Sequence, residues 1–572
     1  MEIQSEFKGE FIVGSILLFA AIASLVAALI IVPLAGNGRR SGNSSGSVVV
    51  PGLVFVFIVG LLLITGYYYF TNADRSLMSL WPIVLIAAVL GALFSSGTEQ
   101  KVKSVLAIGA LALAVYILSA PLFNATEKYE AVQMEEQEEI EAFDETQTPA
   151  SVPPKFARNK MKKAFGQVPD TSYYELGSLQ VQKVGGEYVY IAPVEFSGFF
   201  KWWNGDSTPG YFTMSATDAS ANPKFVKAEM VYTPSSYFNK NIERHMRLEN
   251  PEAIFYGDSQ LEIDDDGKPF YIRSYGNFIS ARNGFAVQGI VAVDPATGKT
   301  ETYSLKEVPA FIDGAVSPES VSLENSYYGN YIHGFWNSKF GKRDVKLPSD
   351  EGTEANVSPV FDAEGHMYYF TDFTSPKEGV DSMLGYSLTN ARTGESTYFT
   401  GNMEDSYMDS QGNLQIIEKQ FIEKQWSGEM PVLYNFYEEA SWLTPVLDSN
   451  GFLQNYFIVS AANPEISVFA GTPNEALQLY KTALQRGGST VDGSSGAEEA
   501  SASGVVERVF KEKTGDFTVV SFLLEDGTNF IVSSENVPLA IYLKETDRVQ
   551  VTYLQTGDLF LPVKTMAIEG IE

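Results

Sequence analysis

Val357-Ser-Pro-Val-Phe-Asp362-Ala-Glu-Gly365-His-Met-Tyr-Tyr-Phe370 returns downstream as Leu443-Thr-Pro-Val-Leu-Asp448-Ser-Asn-Gly451-Phe-Leu-Gln-Asn-Tyr-Phe457, and more loosely upstream as Leu261-Glu-Ile-Asp-Asp-Asp266-Gly267-Lys-Pro-Phe-Tyr-Ile272. Each copy sets Asp, Glu or Asn ahead of a Gly, between apolar residues that alternate with polar ones. This is the sequence form of a two-residue hairpin turn, where a positive φ must be tolerated. The large middle part of the chain is therefore predicted to be a repeated β-rich unit.

Working outward, a first unit is expected from the turn Val184-Gly-Gly-Glu-Tyr188 through Phe199-Phe-Lys-Trp-Trp203 to the run ending at Ala216. The second opens with a helix predicted over Ser236 to Met246, where Phe238, Ile242 and Met246 recur every fourth residue. It ends in Gly289-Ile-Val-Ala-Val-Asp294-Pro-Ala-Thr297-Gly298, which the third unit matches with Gly385-Tyr-Ser-Leu-Thr-Asn390-Ala-Arg-Thr393-Gly394. Gly, Asp/Asn and Thr-Gly keep their offsets in both, so a shared strand-turn-strand is expected. Thr472-Pro-Asn-Glu475 is a capping box with Pro at the first helical position, and it predicts a helix to about Gln485.

Helix, hairpin and a closing strand pair ending in Asp-x-x-Thr-Gly resemble PepSY-type modules, a family of bacterial envelope proteins associated with restraining or regulating peptidases. The resemblance covers the hairpin and Thr-Gly segments of three units, and these units are longer than that family's. It implies an envelope setting and a binding role, and transfers no site residue.

Arg486 to Gly504 is rich in Gly and Ser and reads as a flexible linker. Beyond it, five short strand-like runs within Val505 to Glu572 suggest a small OB-like or SH3-like barrel.

The N-terminal part differs in kind. Four apolar stretches, roughly Phe11 to Ala35, Val48 to Phe70, Leu77 to Phe94 and Val105 to Phe123, approach the ~20 residues a helix needs to cross a bilayer. None has an ionisable residue in its middle, which favours an anchor over a transporter. Arg39, Arg40, Lys101 and Lys103 in the first and third loops outnumber Lys8, Arg75 and Lys128, so the positive-inside rule sends everything after Phe123 outward. The basic cluster Lys155, Arg158, Lys160, Lys162 and Lys163 argues the other way if counted, which would leave the large region cytoplasmic. Between Asn124 and Phe143 the sequence is acidic and helix-forming, and an acidic helical stalk continuing the fourth span is expected before Thr148-Pro-Ala-Ser-Val-Pro-Pro154 breaks it.

The expected organisation is thus a membrane-anchored α+β protein: a four-helix anchor (1–123), stalk and Pro-rich linker (124–170), repeated helix and antiparallel-sheet units (171–486), Gly/Ser linker (487–504) and barrel (505–572).

A net charge of −30 speaks against nucleic acid or an anionic lipid surface as partner, since both need a basic face. The absence of cysteine removes disulfides, thiolate catalysis and Cys-ligated metals. Glu262-Ile-Asp264-Asp-Asp266-Gly267 matches the start of a calcium loop, but Arg273 stands where the bidentate acid belongs, so a hairpin is favoured. His245, His333 and His366 are isolated, and no HExxH, GxSxG or Walker A sequence occurs. No catalytic residue, cofactor or metal site is expected. The aromatic clusters are the remaining candidates, with Trp202, Trp203 and Trp336 as the expected recognition surface for sugar or peptide stacking. The leading expectation is a non-catalytic envelope scaffold or binding protein, integral to the membrane and self-assembling through its spans. An envelope enzyme or regulator of a peptidase or glycan hydrolase comes second, and a channel or transporter component third.

Overall fold

The computed structural model describes residues 2–34, 45–138, 152–349, 356–362, 365–377, 379–400, 406–486, 499–514, 517–534, 537–554 and 560–571. Four helices come first: α1 (Glu2–Ile31), α2 (Ser45–Thr71), α3 (Trp81–Phe94) and α4 (Gly97–Phe123). Among the described residues, three stretches are long and apolar enough to cross a membrane: Val49–Thr71, Leu77–Phe94 and Gly97–Phe123. α1 adds a shorter apolar stretch, Ile16–Ile31, while the side chains from Phe11 to Ser15 lie outside the described residues. So do Arg39 and Arg40, on which much of the charge rule rests. α3 comes very close to α1, since a Cβ on Gly91 would lie 2.3 Å from the Ile30 carbonyl oxygen. A residue without a side chain at the crossing lets the two backbones come this close. Lys103 Nζ donates to Val32 O at 2.9 Å and pairs with Glu99 at 2.7 Å, capping the end of α1 with a charge.

The expected stalk is replaced by a short docked segment. α4 stops at Phe123, and α5 (Ala125–Ala131) is followed by a three-residue strand, β1 (Glu135–Gln137). Tyr129 stacks on Tyr328 with ring centroids 5.9 Å apart, and β1 pairs in parallel with residues 397–399. The acidic run thus has a partner surface, and helix propensity yields to it. Residues 139–151, the rest of the expected stalk, lie outside the described residues.

Four sheets of the same strand order follow. α6 (Pro154–Ala164) precedes the first, built of β2 (Tyr174–Leu176), β3 (Gln180–Val184), β4 (Glu187–Phe196), β5 (Thr208–Ser215) and β6 (Lys224–Met230), with the short helix α7 (Phe199–Asn204) after β4. α8 (Ile242–Glu249) precedes β7 (Ile254–Phe255), β8 (Gln260–Ile263), β9 (Pro269–Asn277), β10 (Ala286–Val293) and β11 (Thr300–Ser304). α9 (Pro318–Asn330) and α10 (Gly334–Trp336) precede β12 (Leu347–Pro348), β13 (Ser358–Phe361), β14 (Met367–Thr374), β15 (Met383–Asn390) and β16 (Ser396–Phe399), which β1 joins at the edge. α11 (Ser410–Gln420) precedes β17 (Ser427–Gly428), β18 (Val432–Phe436), β19 (Glu439–Leu447), β20 (Leu453–Ser460) and β21 (Ser467–Ala470), and α12 (Pro473–Arg486) covers the outer face. In each sheet two short strands share one edge of the first long strand, and an antiparallel meander completes the other side.

The quoted motifs form the hairpins β8–β9, β13–β14 and β19–β20, but the turn is longer than two residues. Ile263 faces Pro269, Phe361 faces Met367 and Leu447 faces Leu453. The Asp opening each loop folds it: Asp448 Oδ1 accepts from the N–H groups of Asn450 and Phe452, both at 2.9 Å. Asp264 Oδ1 does the same for Asp266 and Lys268, at 3.1 and 2.8 Å. Gly267, Gly365 and Gly451 then take φ of +80°, +84° and +76°. An Asx-turn closed by a left-handed Gly explains the motif better than a two-residue turn does. Asp264 is thereby occupied by its own backbone, as the hairpin reading of the calcium-like stretch expects. The helix predicted from Ser236 starts later, at Ile242, where Asn241 caps it by accepting from Arg244 N at 3.0 Å.

Because side chains alternate between faces, each sheet packs on two neighbours. Ile191 and Tyr211 meet Leu261, Tyr271 and Val291 of the second sheet. Val287 and Leu305 pack with Met367 and Tyr369 of the third, and Phe370 and Tyr386 with Trp442 and Phe457 of the fourth. α6 closes the circuit, burying Phe156, Ala157 and Met161 in one cluster with Tyr190, Phe212 and Leu447. Its basic residues serve this clasp: Lys155 pairs with Glu429, Lys160 donates to Ala221 O at 2.7 Å, and Lys163 lies over the Phe452 ring.

The last region is a closed barrel of β22 (Glu499–Thr514), β23 (Phe517–Leu524), β24 (Asn529–Ser533), β25 (Arg548–Leu554) and β26 (Leu561–Ile568), ordered β22-β23-β24-β26-β25. Its core, including Val520, Phe522, Phe530 and Val551, is its own. The first strand begins at Glu499, inside the stretch expected to be linker, because residues 499–505 pair with β25. Residues 487–498 lie outside the described residues.

Candidate functional site

The three tryptophans singled out from the sequence fall in two patches. Trp202 is half-buried and Trp203 exposed on α7, in ring contact with Phe199; Trp202 also touches Tyr237 and Phe238. Trp336 is exposed at the end of α10 and stacks on Phe340 at 5.9 Å.

A more enclosed arrangement lies where the helices meet the sheets. The α2–α3 loop, Asn72 to Ser76, docks on the second sheet's helix and the residues after it. Arg75 N–H donates to Pro251 O at 2.8 Å, and Arg247 Nε donates to Asn72 O at 2.8 Å. Arg282 grips Asp74, with Nη2–Oδ1 at 2.6 Å and Nη1–Oδ2 at 3.1 Å. Burial works to raise the Asp74 carboxyl, but hydrogen bonds from Arg282 and Ser76 outweigh it and hold the group below its usual range. Burial lowers the Arg247 guanidinium to about 10, partly offset by Asp74. Asn72, Asp74, Arg247 and Arg282 line a cleft of about 410 Å³ together with Phe255 and Tyr256. Two of its polar atoms, Asn72 Oδ1 and Asn283 Nδ2, have no hydrogen-bond partner among the described residues. The sequence signal for this site was faint: an acid and a base side by side between two spans, read only as loop charge.

A second cleft, of about 290 Å³, opens between the first two sheets and is lined by Glu175, Glu195, Ser235, Ser259 and Tyr271. Glu195 is raised by burial, against hydrogen bonds from Ser235 and Tyr271; the Tyr271 hydroxyl donates to Oε1 at 2.7 Å. The third cluster is central. Glu262, buried on β8, accepts from Gly314 N–H at 3.0 Å and is pushed up to about 8 by burial and by Asp313. Asp313 Oδ2 in turn accepts from Lys183 N–H at 2.6 Å, tying the first sheet to the loop after the second.

The three histidines each have a separate polar neighbour. His245 Nε2 lies 2.7 Å from Gly298 O, His333 Nε2 2.8 Å from Asp344, and His366 Nδ1 2.9 Å from Asp362. Among the described residues no group of three or more His, Asp or Glu is placed to hold a metal ion.

No family model matches the chain, and no curated protein matches it. Among solved structures, an α-L-arabinofuranosidase from Lactobacillus brevis is similar at 10% identity, with 63% of this chain and 87% of that one covered and a TM-score of 0.17. A xylan β-1,4-xylosidase from Bacillus halodurans is similar at 9% identity over 69% of this chain and 66% of that one, with a TM-score of 0.13. Likenesses at these scores carry no argument about fold or function.

Proposed function

We propose that the chain is a non-catalytic scaffold or binding protein of the cell envelope, anchored in the membrane and displaying its four sheets and barrel on the extracytoplasmic side. The observation that carries this reading is the docking of the α2–α3 loop through Asp74, Arg75, Arg247 and Arg282, which holds the ring of sheets against the helices as a display platform requires. The apolar Ile16–Ile31 stretch supports α1 as a fourth span. The common strand order supports reading the sheets as repeats, and the strand order together with the parallel β24–β26 pair supports an OB-like barrel. Self-association through the spans remains part of the proposal, as does an envelope protein or glycan as partner.

A second reading, enzyme or regulator of one, is favoured by the cleft in which Glu195, Ser235 and Tyr271 converge with a raised carboxyl. Incubating the purified full-length protein with peptide and glycan libraries separates the two. Turnover equal to that of Glu195→Gln supports the scaffold; turnover abolished by that substitution overturns it. Protease cleavage within residues 487–498 in intact cells is the result expected from the outward orientation, and cleavage only after lysis would reverse it.

A further inference from the structure

Phe200, Trp203, Phe238, Trp336 and Phe340 are 77%, 65%, 46%, 59% and 78% exposed. Large aromatics in contact with one another and open to solvent need an occupant. Both patches adjoin a span end. Tyr69, two residues before the end of α2, donates its hydroxyl to Asn239 Oδ1 at 2.8 Å. Phe238 is the residue before Asn239, held at φ +52°, a value bulky side chains rarely adopt, and it touches Phe199 and Trp202. On the other side, α10 packs against α4 and α5, and a Cβ on Gly334 would lie 3.4 Å from Thr126, three residues past the end of α4.

The second patch also has a distinctive charge. The five residues after α10, Asn337–Gly341, form a π-helical turn that sets the Trp336 and Phe340 rings parallel within 15°. Around them Lys339, Lys342 and Arg343 are exposed, with Asp344 as the adjacent acid. In a chain of net charge −30 this is a local reversal of sign.

We propose that these two patches are a second membrane contact: the aromatic rings enter the headgroup region of the bilayer that the helices span, and Lys339, Lys342 and Arg343 engage anionic lipid phosphates. The inference rests on the membrane reading of the helices. The indoles of Trp203 and Trp336, each with an apolar body and an N–H, partition to this depth, the Phe rings beside them add apolar area to bury there, and the basic residues add attraction to anionic lipid. Trp203 and Trp336 are then lipid anchors, which removes them as a surface for sugar or peptide.

The wild-type chain has no cysteine, so single-cysteine variants can carry a spin label at one position each. The full-length protein in phosphatidylglycerol–phosphatidylcholine vesicles is labelled through Trp203→Cys, Phe340→Cys, Leu62→Cys on α2 and Leu479→Cys on α12. The ratio of collisions with oxygen to collisions with a water-soluble nickel chelate is expected to be severalfold higher at positions 203 and 340 than at 479. A lipid value at 62 with aqueous values at 203 and 340 overturns the proposal alone. An aqueous value at 62 overturns the membrane reading itself. Lys339→Glu with Lys342→Glu and Arg343→Glu is expected to return the label at 340 to an aqueous value in these vesicles; an unchanged ratio overturns the anionic-lipid contact.

Discussion

Two regions bury carboxylates in opposite ways. At the junction, Asp74 meets a two-point grip from Arg282 and stays ionised more readily than a free carboxyl. Between the sheets, Glu262 meets backbone N–H groups and the like charge of Asp313, and Asp372 is pushed up to about 6 by burial despite hydrogen bonds from Ser410. A buried acid with a guanidinium partner fixes two elements in register; one whose neutral hydrogen-bond donors do not offset its burial favours its neutral form. The signs follow. The lowered Asp74 gives stability above its unfolded value of 3.8, lost as pH falls through the folded one. The raised Glu262 favours the fold below its unfolded value of 4.5, and that stability is lost as pH rises towards about 8. Acid therefore loosens the junction, and mild base loosens the ring.

The sharpest way to break this comparison is Arg282→Ala, which leaves Asp74 buried without its cation. A cost of about 3 kcal/mol is expected, read as faster hydrogen exchange at the Arg75 amide while amides in β19 and β20 are unchanged. Glu262→Gln keeps the hydrogen bond from Gly314 and cannot ionise. It is expected to gain several kcal/mol over wild type at pH 9 and nothing at pH 4, measured by denaturant midpoints across pH; parallel curves would refute the raised Glu262 carboxyl. The smallest effect is expected of Gly451→Ala, where φ is +76° and a Cβ would fall 1.9 Å from Asn159 Nδ2. A loss of about 1 kcal/mol, equal at every pH, is expected from the strained turn. A pH-dependent loss would mean that the clasp and the central carboxylates are coupled.

How much of this was legible varied with the range of the interactions. The hairpins showed because Asp and Gly in a turn act on their own backbone, and the apolar helices because crossing length is a local property. The turn length was misread because the acid next to Gly267 is Asp266, whereas Asp264 does the folding. The stalk was misread because helix propensity in 124–143 says nothing about Tyr328, which Tyr129 meets almost 200 residues later in the chain. The junction was hidden for the same reason: Asp74 and Arg282 are 208 positions apart in the chain. Glu195 carried a faint trace, as an acid within the apolar run of β4.

The clasp between α6 and the fourth sheet has a consequence for synthesis. Asn159 reaches Gly451 across 292 positions of chain, so the ring cannot close until nearly all of its sheets have left the ribosome. Until then the Tyr190 and Phe212 face of the first sheet, which shares its cluster with Leu447, has no lid, although the helices that tether it emerged first. The nascent protein therefore carries an open apolar flank until the fourth sheet is made, and that interval is when a chaperone or a neighbouring copy finds its opportunity.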